Sequence, residues 1–144
     1  MTDNFEGFIE LGENLEDVQE PKLLPTARYR LRIDAAVGKT DESGNLSQIN
    51  CRIVAVDKGP DYAPIFHTVW LPKADADADS RKYTLLKVRR FMVLFKIPVS
   101  PTGVTTTDFL GREADANVNL GTYQKKDGSG EGQSNAIVIP SLPR

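Results

Sequence analysis

The chain has 144 residues, 40% of them hydrophobic and 26% charged, with a formal net charge of −2. That is ordinary for one globular domain and long enough for a sizeable core. No apolar run approaches the ~18 residues of a membrane span, the acidic start lacks the basic-then-apolar pattern of a secretion signal, and a lone Cys51 with a lone His67 leaves no internal disulfide and none of the common zinc sites.

These exclusions predict a cytoplasmic, reducing setting with no membrane partner. Residues 1–24 read as an acidic arm and residues 25–144 as the folded domain. Asp3, Glu6, Glu10, Glu13, Glu16, Asp17 and Glu20 give the first twenty residues a charge of −7; the remainder carries all 18 basic residues against 13 acidic ones, or +5. An acidic arm on a basic body can compete for the basic surface. Phe5, Phe8, Ile9 and Leu11 lie among the carboxylates, and Pro21 and Pro25 bracket the end. The pattern fits a docking peptide, a strand covering the body, or a plain tail.

The first predicted strand, Ala27–Val37, alternates strictly. Tyr29, Leu31 and Ile33 can enter a core, which leaves Arg28, Arg30 and Arg32 on the other face, about 6–7 Å apart. That row either solvates an exposed strand or tracks the phosphates of a single strand. Gly38–Asn45 is turn chemistry throughout. In the second strand, Ser47–Val56, Ile49, Cys51 and Ile53 alternate with Asn50 and Arg52; Cys51 reads as a small core residue. Its end, Val54–Val56, is apolar on both faces, which predicts a bulge or a barrel corner there.

Asp57–Pro64 is a Gly/Pro loop leading to a third strand, Ile65–Leu71. Ile65, Val69 and Leu71 share a face with His67, while Phe66, Thr68 and Trp70 share the other. If the aliphatic face points inward, Phe66 and Trp70 are surface aromatics suited to base stacking; the alternative buries Trp70. His67 has no acid or nucleophile beside it and reads as structural. Asp75, Asp77 and Asp79 open like a calcium loop, but Ser80 stands where glycine is needed and Leu86 where a bidentate Glu is needed, so no metal is expected. These acids instead complement the start of a helix, with Asp79 and Ser80 as its caps.

That helix is predicted over Arg81–Lys96, with an apolar stripe of Leu85, Val88, Met92 and Phe95 widened by Leu86, Phe91 and Leu94. Lys82, Lys87, Arg89 and Arg90 fall largely outside it, and Pro98 and Pro101 end it. After a Thr-rich loop, Val99–Thr107, a fourth strand is predicted over Arg112–Lys125 and a fifth over Asn135–Ile139, joined by a Gly/Ser-rich hairpin loop. The fold class is mainly β. A helix between strands three and four of five is the layout of a five-stranded OB-fold barrel, with Gly38–Asn45 and Lys126–Gln133 as its grasping loops; a flattened α+β sheet is the rival.

Three stretches resemble the phage-encoded single-stranded DNA-binding proteins of the OB class, which belong to early replication genes. They are Pro25-Thr26-Ala27-Arg28-Tyr29-Arg30-Leu31-Arg32-Ile33, the turn Val54-Ala55-Val56-Asp57-Lys58-Gly59-Pro60-Asp61-Tyr62 before the aromatic strand Phe66–Leu71, and Phe109-Leu110-Gly111-Arg112-Glu113. The resemblance covers residues 25–140 and rests on structural punctuation. It departs from the common pattern at Ile139–Arg144, which is not acidic; the acidic segment is at the other end.

The resemblance implies sequence-tolerant binding of single-stranded DNA in replication or recombination, with no cofactor. Read with the residue pattern, Arg28, Arg30, Arg32, Arg52, Lys125 and Lys126 would engage phosphates, and Phe66, Trp70, Tyr62 and Tyr123 would stack on bases. The arm could recruit replication or recombination proteins, and a homo-oligomer is compatible with the pattern. The rival reading is an OB-like interaction or structural module of a replication or virion assembly; an oligosaccharide site would lack salt dependence. No nucleophile–base pair, phosphate loop or metal cluster is visible, so an enzyme is not expected.

Overall fold

Strict alternation over residues 28–33 does produce a strand, and it is the centre of the sheet. The computed structural model describes residues 6–100 and 103–143; Asp3, Phe5, Pro101 and Arg144 lie outside them. Five strands, β1 (Ala27–Thr40), β2 (Leu46–Ala55), β3 (Ile65–Trp70), β4 (Glu113–Gln124) and β5 (Glu131–Ile137), pair antiparallel in the order β3-β2-β1-β4-β5. The first half of β1 pairs with β4 (Ala27 with Val118 through Arg32 with Glu113), and the second half pairs with β2 (Leu31 with Ala55 through Thr40 with Leu46). One 14-residue strand therefore bridges two hairpins. The sheet is open: its edge strands β3 and β5 come close to one another without forming a ladder.

The expected bulge sits in a different strand. Ile33 faces Ile53 and Ala35 faces Arg52, so Asp34 is the extra residue. Val54 and Ala55 stay in register with Arg32 and Leu31; their two-sided apolar character reflects partial cover on both faces, since each is half-buried. The bulge reverses the parity of β1. Before it, Leu31 and Ile33 are buried; after it, Ala36 packs on the core and Val37 is exposed.

Both hairpins extend further than the sequence suggests. The ladders reach Thr40–Leu46 and Gln124–Glu131, so the turns shrink to residues 41–45 and 125–130. A ladder needs only backbone groups, and polar residues at a hairpin's tip supply those as well as apolar ones do. The first turn is closed by Asp41, whose carboxylate accepts from the N–H groups of Ser43 (2.9 Å) and Asn45 (3.0 Å), with Gly44 at φ 84.

A single long helix, α1 (Ala78–Leu94), covers the inner face of the sheet. Its N-cap is Asp77, not Asp79 or Ser80: the Asp77 carboxylate accepts from the Ser80 N–H at 2.7 Å. The cap needs extended backbone three residues ahead of its donor, and Asp77 is the acid with that geometry. At the other end Lys96 adopts φ 55, the Ile97 N–H bonds to the Met92 carbonyl (2.8 Å) and the Lys96 N–H to that of Val93 (3.2 Å). This is a Schellman stop, sealed by buried Met92 and Ile97, that ends the helix ahead of Pro98. The buried stripe is narrower than expected. Val88, Phe91, Met92 and Phe95 enter the core, while Leu85 is exposed.

Phe91, Phe95 and Phe109 fill the space between α1 and the inward residues Leu31, Ile33, Ile49, Ile53 and Val118. Residues 6–21 of the arm are exposed, with a short 3-10 turn at Leu15–Asp17. From Lys22 the chain is tied to the body. The Lys22 N–H bonds to the Asp61 carbonyl and the Ala63 N–H to that of Lys22, both at 2.8 Å. Leu24 is fully buried, and the Asn135 carboxamide holds its backbone from both sides, accepting from its N–H (2.9 Å) and donating to its carbonyl (2.8 Å). Among the described residues no helix is long and apolar enough to cross a membrane.

Candidate nucleic-acid interface

Parity places the candidate site. In β2, Ile49, Cys51 and Ile53 are buried, so Gln48, Asn50 and Arg52 project from the outer face; in β3, Ile65 and Val69 are buried, so Phe66, Thr68 and Trp70 do. Phe66 is 74% exposed and Trp70 62%. Direct cross-strand pairing then builds three rows: Ala35, Arg52 and Phe66; Val37, Asn50 and Thr68; Lys39, Gln48 and Trp70. The Thr68 hydroxyl donates to the Asn50 carboxamide oxygen at 3.0 Å and fixes the middle row. The two rings stand four residues apart on one strand face, about 13 Å. Each has a polar or cationic partner directly across from it: Arg52 opposite Phe66, and Gln48 then Lys39 opposite Trp70.

Lys39, Gln48 and Asn50 were absent from the expected site residues. The alternation of β2 carries the signal for Gln48 and Asn50. Lys39 is hidden because the Asp34 bulge moves it to the outer face against the parity set by the arginine row.

The arginines of β1 are on the outer face, but mostly engaged. The outward residues of β4 opposite them are Glu113, Asp115 and Asn117. The Arg30 Nε meets the Glu113 carboxylate at 3.1 Å and its Nη1 meets Asp115 at 3.5 Å. The hydrogen bond with Glu113, with further support from Asp115, raises the pKa of the Arg30 guanidinium above its usual value. The Arg28 Nη2 donates to the Asp115 carbonyl at 3.1 Å. Arg52 pairs with Asp34, the bulged residue. Arg32 is half-buried and makes no ion pair among the described residues.

Beyond the Phe66 end of the rows, the outer face opens into a hollow of about 330 Å³ lined by Arg32, Arg52, Lys58 and Tyr62, with Asp34 as its one acid. Tyr62 is half-buried, with the Lys58 and Lys22 ammonium groups 5.7 and 6.0 Å from its ring centroid. Tyr123, Lys125 and Lys126 belong to the tip of the β4–β5 hairpin, outside the three rows. Tyr123 is half-exposed and lies over Gly132, where an added Cβ would come within 2.5 Å of the ring. The structure thus brings Arg32, Arg52, Tyr62, Phe66 and Trp70 along one surface, keeps Arg28 and Arg30 on the β1–β4 half, and holds the hairpin group apart.

Behind β3, His67 stacks parallel on Phe91 at 5.0 Å. Burial lowers its pKa below the usual 6.5, and burial pushes the Cys51 thiol up to about 11. The folded chain thus holds His67 neutral, whereas the unfolded chain takes up a proton below about 6.5. The stability tied to the neutral ring is complete above that pH and is lost as pH falls through the lower folded value. The thermal midpoint of the wild type is expected to drop between about pH 7 and pH 5 by more than that of His67→Phe, whose ring cannot titrate. Parallel curves would refute a buried neutral imidazole. Among the described residues no group of side chains is arranged to hold a metal ion; Asp77 is occupied as a helix cap. Compared with known protein families and with curated proteins, the chain gives no match.

Proposed function

We propose that this chain binds single-stranded DNA without sequence preference, as an OB-class protein of the phage-encoded kind serving replication or recombination in the host cytoplasm. The observation that carries the reading is the pair of exposed rings, Phe66 and Trp70, on one face of a strand, with Arg52 and Lys39 in the same rows. Large exposed aromatics on a strand gain nothing from water and gain about 1–3 kcal/mol each from a stacked base. The OB assignment is supported by the strand order, by α1 lying between β3 and β4, and by the approach of the edge strands β3 and β5. Lys39 and Arg52 in the rows, with Arg32 and Lys58 at the hollow beyond them, offer phosphates a path; Lys125 and Lys126, on the separate hairpin tip, would meet the strand only outside these rows.

Titration with oligo-dT while following Trp70 fluorescence tests this. Quenching is expected, with log K falling against log salt at about −3 to −4 for four to six phosphates. Absence of both quenching and salt-dependent binding refutes the reading. The second reading, an interaction module, is favoured by one feature: Phe8, Ile9, Leu11, Leu15 and Val18 are all exposed on the acidic arm. It predicts that removing residues 1–21 abolishes binding to a partner protein while oligo-dT has no effect at any salt.

A further inference from the structure

The open seam of the sheet holds a second hollow, of about 340 Å³, walled by β3 on one side, by α1 on another and by Ile139 after the end of β5. Trp70 belongs both to this hollow and to the outer-face rows. The floor is apolar, from Phe91, Val88 and Ile139. Lys87 and Arg90 also line the hollow, and no carboxylate does. Neither cation has an ion-pair partner among the described residues; the Lys87 ammonium lies 4.6 Å from the Tyr83 ring centroid. The Arg90 Nε is buried and has no hydrogen-bond partner among the described residues. A donor buried without a partner is costly to the fold.

We propose that this seam is a nucleotide subsite. The single strand bound across the outer face turns around the β3 edge at Trp70 and places its next base in the hollow, with its phosphate on Lys87 and Arg90. The inference rests on the single-strand reading above and extends the path to a face of the molecule that the outer rows do not reach. The volume is at the small end of ligand pockets, which begin near ~300 Å³. That admits one nucleotide and excludes a folded partner. An apolar floor takes the flat face of a base, a guanidinium and an ammonium take its phosphate, and the missing carboxylates leave nothing to repel an anion.

The test compares oligo-dT of about 4, 8 and 16 nucleotides, lengths spanning the usual site sizes of one OB domain. The proteins are the wild type, Lys87→Gln/Arg90→Gln, and Ile139→Trp, which fills the hollow without changing charge; thermal melts confirm that each is folded. For the wild type, affinity is expected to rise with length beyond what extra registers supply. The double Gln variant is expected to bind the shortest oligomer within about twofold of wild type, to lose about tenfold on the longest, and to show a salt slope shallower by about 0.7, one phosphate's worth. Ile139→Trp is expected to lose the same length-dependent gain. Equal binding of wild type and double variant at every length overturns the subsite and leaves the outer-face reading intact. So does a loss shared equally by short and long oligomers, or full retention by Ile139→Trp. A wild type that binds no oligomer overturns both.

Discussion

Replacing both Phe66 and Trp70 with alanine is expected to weaken oligo-dT binding by about 2–6 kcal/mol, some ~30-fold to ~10⁴-fold, because each lost stack is worth about 1–3 kcal/mol. Stability should change little. Both rings project from the outer face and are mostly exposed, so truncation opens no cavity; the cost is the strand propensity of two edge positions, about 1 kcal/mol or less. The comparison variant is Arg30→Ala. Its guanidinium is already neutralised by Glu113 and Asp115 and lies on the β1–β4 half away from the rings, so the affinity lost should be far smaller than for the rings. Fluorescence anisotropy of labelled oligo-dT at fixed salt measures all three proteins. If the double alanine variant binds like wild type, the outer face of β2 and β3 is not the interface. If Arg30→Ala loses as much as the rings do, the phosphate path runs over the β1–β4 half instead.

The contrast between rings and arginines also marks what could be read from the residues. Alternation in β2 and β3 was legible, with Ile49, Cys51 and Ile53 on one face of β2 and Ile65, His67 and Val69 on one face of β3, but the residues left open which face of β3 turns inward; burial of Ile65 and Val69 decides it. Once those residues are inside, Phe66 and Trp70 have nowhere to go but out. The engagement of the arginines was not legible in β1 alone. It depends on which residues of a strand more than eighty positions later lie opposite, and Glu113 and Asp115 became their partners only through the β1–β4 register. The bulge at Asp34 has no strong local signature either. It arises because β1 must pair with two strands on different halves, and the extra residue adds twist where it passes from one to the other. The seam hollow is a purely tertiary feature. Lys87 and Arg90 read as a solvated helix face until the helix is laid against the open edge of β3.

Phe91→Ala is expected to cost about 3–5 kcal/mol, the range for a buried aromatic truncated to alanine. Phe91 is 1% exposed and joins three elements. Its ring is parallel to His67 of β3 at 5.0 Å, tilted by 42° against Phe95 at 5.0 Å, and 6.0 Å from Phe109 in the 3-10 turn ahead of β4. Each aromatic pair adds about 0.5–1.5 kcal/mol beyond the area it buries. A domain of this size has only about 5–15 kcal/mol in total, so the variant should sit near the edge of folding at room temperature. Urea titration checks it: the midpoint should fall sharply while the slope stays constant, which marks lost stability rather than a changed unfolded state. The consequence reaches the interface. β3 is an edge strand, paired on one side only with β2 and supported from behind by α1 through the His67–Phe91 stack. Removing that support frees the strand that carries both rings, so at a temperature where the variant is still folded, oligo-dT affinity should drop with no contact residue altered. Phe91→Leu keeps most of the volume and should restore both stability and affinity in large part. A loss below about 1.5 kcal/mol for Phe91→Ala would mean that α1 and β3 are held together by something other than this ring, since a well-supported cavity of that size costs more. The positioning of Phe66 and Trp70 would then have to come from the β2 ladder alone.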